Sequence, residues 1–295
     1  AHETDTYSID APVPGFTLNS DGTYTFDPSD AAYQHIASNA TETVTIPITV
    51  TDQDGGTDTQ NLVITVAGTN DAAMIAGTDT GSVTEETALQ TTGTLTVSEI
   101  DDGEASFTPD TVVGNYGTLT LQADGNWTYD LDNTNSDVQA LGTSASTTNG
   151  LTETLQVTSF DGTTHDITVS IAGTNDAPVL NTITAATATE GDTTLTTGQI
   201  TSTDIDTGDT ASYSTTATVA GFSLQADGSY SFDPTNSAYN GLAQGDSQVI
   251  TIPVTVTDGS GGTHSSDLTL TLTGTNDAPV LDAISARTVT EDGAV

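Results

Sequence analysis

Lysine is absent from this 295-residue sequence and arginine occurs once, at Arg287; against 41 acidic residues the formal net charge is -40. Nucleic acid, anionic membrane surfaces and acidic polymers are thereby poor partners, because binding them relies on Lys and Arg. The partner that suits this surface is a cation. Cysteine is missing too, which excludes disulfides and a thiolate metal site and leaves core, length or a bound metal to supply stability. No run of about 18 apolar residues exists to span a membrane, and no signal-peptide pattern opens the chain. The first residue is not Met, so the sequence reads as an excerpt of a longer one. Apolar residues are sparse at 34%, a composition that approaches disorder. They nevertheless run in period two, which a disordered chain does not need. The expectation is a folded, cation-dependent chain.

What is present is repetition. The phrase Gly-Thr-Asn-Asp-Ala occurs at 68–72, 173–177 and 274–278, each time after a run of alternating apolar residues; Asn70, Asn175 and Asn276 are 105 and 101 residues apart. Such a period is read before anything else. An Asp-Gly turn recurs at Asp21, Asp124 and Asp227, flanked by alternating residues such as Phe222, Leu224, Tyr230 and Phe232. That pattern predicts a hairpin, with the aspartates as ordinary turn formers.

Two further strands lead into each phrase. Residues 43–51 place Val44, Ile46, Ile48 and Val50 on one face, 249–257 repeat the pattern, and Leu155 with Val157 is the shorter counterpart. Pro47 and Pro253 fall on the polar face, which predicts edge strands, since Pro donates no ladder hydrogen bond. Early in each unit Glu85, Glu190 and Glu291 correspond. An acidic loop follows, in which Glu99, Asp101 and Glu104 match Asp204, Asp206 and Asp209 at the constant offset of 105.

About seven short strands per hundred residues, separated by turn signals, predict an all-β chain of immunoglobulin-like β-sandwich repeats. The expected boundaries are a partial repeat over 1–72, complete repeats over 73–177 and 178–278, and the start of a fourth over 279–295. The first lacks its opening strands, because Tyr7 aligns with Tyr213.

The second repeat, from Gly81-Ser-Val-Thr-Glu85 through the Asp124-Gly hairpin to Pro178, resembles the VCBS repeat over its length. The first and third, with "VTDQDGGT" at 50–57 and "VTDGSGGT" at 256–263, resemble cadherin-like relatives found beside it. The resemblance implies tandem Greek-key sandwiches in an extended array, forming the extender of a large RTX-type bacterial surface adhesin. The calcium-binding nonapeptides of an RTX export region are absent. The linker also resembles that of cadherins, which has an Asn-Asp pair before Ala-Pro.

In such a sandwich the glutamate, the Asn-Asp phrase, the Asp-x-Asp loop and the turn before the last strand meet at each domain junction. Calcium fits such oxygen-rich loops, since it takes six to eight oxygens at about 2.3–2.6 Å in flexible geometry, whereas magnesium demands a near-octahedral, hydrated shell. Carried over position by position, the junction of the second and third repeats would use Glu85, Asn175, Asp176, Asp204, Asp206, Asp209 and Asp258. That of the first and second would use Asn70, Asp71, Glu99, Asp101 and Asp161, with Ala73 in place of the usual Pro and a weaker site as the expectation. The last would keep Glu190, Asn276 and Asp277. Calcium and the neighbouring repeats are thus the expected partners, with no nucleic acid and no membrane insertion, at a bacterial cell surface or in secreted form.

Catalysis is not expected. His2, His35, His165 and His264 have no motif partners, and neither a nucleophile elbow nor a lysine or cysteine nucleophile exists, so no acid, base and nucleophile set assembles. The rival from another class is a carbohydrate-binding module, with Trp127 as a stacking platform. Its hairpin position is held by Tyr24 and Tyr230 in the other repeats, which favours a core role. The reading is a non-enzymatic, calcium-stiffened extender that projects an adhesive domain for surface attachment or biofilm formation.

Overall fold

The structure, a computed structural model, describes residues 5–143, 150–289 and 291. Part of the phrase at 289–293 and the first four residues lie outside them. The main division of the chain falls between Thr174 and Asn175.

The first unit opens with β1 (Thr6–Ile9), β2 (Phe16–Leu18), β3 (Tyr24–Phe26), β4 (Thr41–Thr51) and β5 (Thr57–Ala67). They form a sheet in the order β1-β4-β5 and a β2-β3 hairpin. Next come β6 (Met74–Gly77), β7 (Thr80–Thr84), β8 (Gln90–Ser98), β9 (Asp110–Val113), β10 (Gly117–Leu121), β11 (Asn126–Leu131), the short α1 (Ser136–Gln139), β12 (Gly150–Thr158) and β13 (Thr164–Ala172). These make a β-sandwich of two sheets, β6-β8-β11-β10-β9 and β12-β13-β7. The opening strand changes sheets: β6 pairs antiparallel with β8, and β7 pairs parallel with β13, Val83 opposite Ile171. Trp127, Tyr129, Leu119, Ile167 and Val169 fill the space between the sheets. Alternation puts them there, since every second residue of a strand faces the same way. Gly93 lies opposite Trp127 across β8 and β11, and a Cβ on it would come within 2.5 Å of the indole.

The second unit repeats the plan with β14 (Val179–Leu180), β15 (Ala186–Thr189), β16 (Thr196–Gln199), β17 (Ser202–Thr203), β18 (Ser212–Ser214), β19 (Phe222–Leu224), β20 (Ser229–Phe232), β21 (Ser247–Thr257) and β22 (Thr263–Thr273). Its sheets run β15-β22-β21-β18 and β16-β20-β19, with a β14-β17 pair. Here too the opening strand switches, antiparallel to β17 and then parallel to β22.

The expected edge position of the proline strands is corrected. Strand β4 lies between β1 and β5, and β21 lies between β18 and β22. The physical reason is that the outer partner is short. Strand β1 reaches only from Thr51 to Ile48, and β18 only from Thr257 to Thr255, so both stop before Pro47 and Pro253. Among the described residues no strand pairs with the proline half of either strand on that side, although Thr215 Oγ1 donates to Pro253 O at 2.6 Å.

The N-terminal portion has a thinner core. Ile46 is buried, but Val44, Ile48 and Val50 are only half-buried, whereas their counterparts Ile250, Ile252, Val254 and Val256 are all buried. Likewise Tyr24 is 50% exposed and its counterpart Tyr230 only 9%. In the later repeats a second strand pairs with the hairpin, as β8 does with β11 and β16 with β20.

Candidate metal centre

The recurring phrase begins where the last strand leaves its sheet, and its glycine answers a close approach. A Cβ at Gly68 would lie 2.0 Å from Ile36 O, at Gly173 1.9 Å from Leu141 O and at Gly274 2.5 Å from Ala243 O. Any side chain would push the loop away. The glutamate then clamps the phrase: Thr174 N donates to Glu85 Oε1 at 2.7 Å and Thr275 N to Glu190 Oε2 at 3.0 Å. Both glutamates are buried, and their own N–H groups donate to Ala172 O and Thr273 O. Each is held by the parallel pairing of the opening strand with the last one.

In the second unit, Asp204, Asp209 and Asp258 bring one carboxylate oxygen each within 4.8 Å of one another. Asp258 is drawn in by its turn, accepting at Oδ1 from the N–H groups of Ser260, Gly261 and Gly262 at 2.6 to 2.9 Å and at Oδ2 from Asn175 Nδ2 at 3.0 Å. Burial by itself would raise its pKa, but the bonds from Asn175 and the turn N–H groups outweigh that and hold the carboxyl below the usual range. Asp206 goes the other way. Burial raises it, one hydrogen bond from Asp176 N opposes, and the charges of Asp176, Asp204 and Asp209 add to the rise. Asn175 Oδ1, Asp204 Oδ2 and Asp206 Oδ1 are buried oxygens without a hydrogen-bond partner. Unsatisfied buried acceptors are costly, and a hard cation is the group that satisfies several acceptors at once. Asn276 and Asp277 are exposed or nearly so, and Asn276 Nδ2 reaches only Asp277 O at 3.4 Å.

The first unit has a parallel arrangement. Asp71 N donates to Asp101 Oδ2 at 2.9 Å, matching the Asp176–Asp206 bond, and Ala73 N donates to Asp161 Oδ2 at 3.0 Å. Asp161 is held further by Ser159 and Thr163; these bonds overcome its burial and keep its carboxyl far below the ordinary range. Asn70 Nδ2 bonds Asp71 O at 3.0 Å, and Glu99 Oε1 accepts from Ile100 N at 2.7 Å. Glu99 Oε2, Asp101 Oδ1 and Glu104 Oε2 are buried without partners. Glu104 was outside the expected ligand set, yet burial and the charges of Asp101, Glu99 and Asp161 raise its pKa. Its signal in the sequence was the 105-residue offset from Asp209.

Other polar groups are accounted for locally. Asp21, Asp124 and Asp227 each accept from the N–H two residues on, at 3.0, 3.0 and 2.9 Å. His35 lies 3.6 Å from Glu42 and His165 lies 3.4 Å from Asp79, while His264 Nδ1 accepts from Leu180 N at 3.1 Å. Trp127 is 1% exposed and its indole N–H donates to Thr78 O at 2.7 Å. It is a core residue and offers no face to a sugar. No helix among the described residues is long and apolar enough to cross a membrane.

The sequence model of the bacterial cadherin-like domain matches residues 70–173 and 175–274. No curated protein sequence matches. Among solved structures, extracellular cadherin domains 1–5 of protocadherin gamma B2 align over 94% of this chain and 54% of theirs, with a TM-score of 0.58 and 15% identity. Domains 3–6 of protocadherin gammaB7 align over 93% and 67%, with a TM-score of 0.53 and 16% identity. The protocadherin gammaB4 extracellular domain aligns over 92% and 44%, at 0.51 and 13%. The chain therefore spans about half the length of the first structures that it matches, and at such identities the likeness concerns the fold.

Proposed function

The chain belongs to the bacterial cadherin-like domain family, and from that premise we propose that it is a non-enzymatic extender segment of a large extracellular bacterial adhesin of the RTX type, stiffened by calcium. Asn175, Asp204, Asp206, Asp209 and Asp258 hold one centre, with Asp176 and the upstream Glu85; Asn70, Asp71, Glu99, Asp101, Glu104 and Asp161 hold another. Glu190, Asn276 and Asp277 are the upstream part of a third. The observation that carries the proposal is the trio Asp204, Asp209 and Asp258 within 4.8 Å, beside the orphaned oxygens of Asn175, Asp204 and Asp206. A bound divalent cation supplies charge neutralisation and satisfies several acceptors together. The chain's own contribution is to aim those oxygens, through the Asp258 turn and the clamp of the glutamate on the phrase.

The function follows from linker physics. A polar linker of a few residues lets neighbouring domains swing, and a multidentate ion shared between loops removes that freedom. The extender then holds a distal adhesive domain away from the cell for surface attachment or biofilm formation. Calorimetric titration of the full chain with calcium, with thermal melts in chelator and in millimolar calcium, tests this. Saturable binding with a raised melting temperature, lost in the Asp206→Ala, Asp258→Ala double variant, supports it. Absence of binding, or an unchanged maximum dimension by small-angle scattering in chelator, refutes it.

A further inference from the structure

The opening strand of the third repeat is lightly held. Strand β14 pairs with β17 over two residues, Val179 with Thr203 and Leu180 with Ser202, where β6 pairs with β8 over four. Successive N–H groups of a strand point to opposite sides. Asn181 N donates to Thr201 O at 2.9 Å on the β17 side, so Leu180 N–H points away from β17, and there it donates to His264 Nδ1 on β22 at 3.1 Å. We propose that His264 is a proton-sensitive latch: its neutral ring fastens β14 to the last strand of the sandwich, and protonation at Nδ1 releases it.

The place of the ring makes it both a fastening and a sensor. His264 stands opposite Val256, which stands opposite Tyr213, so the three form one row across β22, β21 and β18. Alternation puts His264 on the same side of β22 as the buried Leu268, Leu270 and Leu272. It ends that stripe at an exposed position, within reach of buried Leu180 and of protons from solvent. To accept from an N–H, Nδ1 must carry a lone pair, so the neutral ring keeps its proton on Nε2. The imidazolium donates at both nitrogens. It then faces Leu180 N–H with a second donor, and a buried N–H left without an acceptor is costly. The bond is therefore present above the ordinary histidine range, about pH 6.5, and is lost as pH falls through it.

The other titratable groups on the elements around the ring do not replace this bond. Tyr213 OH and Ser202 Oγ share a hydrogen bond at 2.8 Å, Asp258 at the end of β21 is held by its own turn, Asp204 follows β17, Asp176 precedes β14, and Asp267 falls on the other side of β22. Among the described residues the histidine ion pairs are those of His35 and His165. His165, which like His264 follows a threonine at the start of its last strand, lies instead 3.4 Å from the Asp79 carboxylate. Release of β14 loosens the segment that carries Asn175 and Asp176, which are fastened to Asp258 and Asp206. That last consequence for a bound cation rests on the calcium reading above; the latch itself does not.

The test is hydrogen exchange of the Leu180 amide in the full chain, in chelator, between about pH 8 and about pH 5, corrected for the intrinsic pH dependence of exchange. Ladder amides of β21 and β22 are the reference. The expected result is that Leu180 protection falls by about tenfold or more across this range while the ladder amides hold theirs. His264→Gln, which takes up no proton, removes the step. A flat profile in the parent, a step that persists in His264→Gln, or a loss shared equally by the ladder amides overturns the proposal. Ring-nitrogen NMR of the parent needs no variant: a proton on Nδ1 at about pH 8 overturns it as well. Because calcium is absent throughout, a chain that binds no calcium can still show the latch, and a flat Leu180 profile leaves the calcium titration unaffected.

Discussion

Asp204→Asn replaces one charge of the Asp204, Asp209 and Asp258 trio and keeps the shape of the side chain. With oxygens within 4.8 Å, each like-charge pair costs about 3.5 kcal/mol at an effective dielectric near 20 and about 0.9 kcal/mol in bulk water. Asp204 and Asp209 are half-buried, so solvent screening puts the lower end in force, and removing two of the three pairs relieves about 2 kcal/mol. In chelator the variant is therefore more stable than the parent, by a melting shift on the order of 10 °C for a domain of this size. In millimolar calcium the variant's lead narrows to about 1 kcal/mol or less. The parent gains about 1.4 kcal/mol per site when calcium is tenfold above a Kd in the extracellular range, while the variant, lacking a charged ligand, binds at least tenfold more weakly. Thermal melts of both proteins in chelator and in calcium, with calorimetric titration of each, measure all of these quantities. A variant that is less stable than the parent in chelator, or that binds calcium equally well, refutes the reasoning.

Proton competition should appear at unusually high pH for carboxylates, because Asp206 and Glu104 have raised pKa values. A raised folded pKa means that the folded state takes up protons more readily than the unfolded one, so acidification favours the metal-free fold while expelling calcium; calcium affinity against pH by calorimetry shows the fall. Asp161 and Asp258 have the opposite sign: their lowered pKa values contribute stability above the unfolded carboxylate range, lost as pH drops below about 4. Acid unfolding of Asp161→Asn should lack that part of the loss. Glu153 is buried and accepts from Tyr129 OH at 2.6 Å, from Tyr116 N at 3.1 Å and from Asn115 N. Glu153→Ala strands these donors and is expected to destabilise its repeat by about 3 kcal/mol, read by urea denaturation through Trp127 fluorescence; a change under about 1 kcal/mol would contradict the assigned bonds. Amides of β4 should exchange faster than those of β21, since only one of the two strands has a fully buried inner face.

The fold class was legible because it rests on local signals that repeat. Of the family resemblance, the cadherin-like part is what the comparison supports, since the second repeat, read as VCBS-like, matches the bacterial cadherin-like domain as well. Alternating apolar residues, Asp-Gly turns and a period near one hundred residues imply sandwiches whatever the contacts in detail. The acidic positions were legible for the same reason, as a constant offset pairs Asp101 with Asp206 and Glu104 with Asp209. Pro47 and Pro253 misled, because a proline reports only the absence of a partner at its own position, and the partner strands end one residue or two away.

The sequence by itself determined the strands, the phrase and the excess of negative charge, all properties of residue type and spacing. Tertiary structure decided why the phrase starts with glycine, since Ile36, Leu141 and Ala243 approach from distant loops. It also decided that Glu85 and Glu190 clamp the phrase through backbone N–H groups, and that Glu104 joins the acidic loop as a half-buried carboxyl repelled by its neighbours. The reason is distance in the chain: local patterns set which way a side chain faces along its own strand, but only folding brings together carbonyls and carboxylates that lie tens of residues apart.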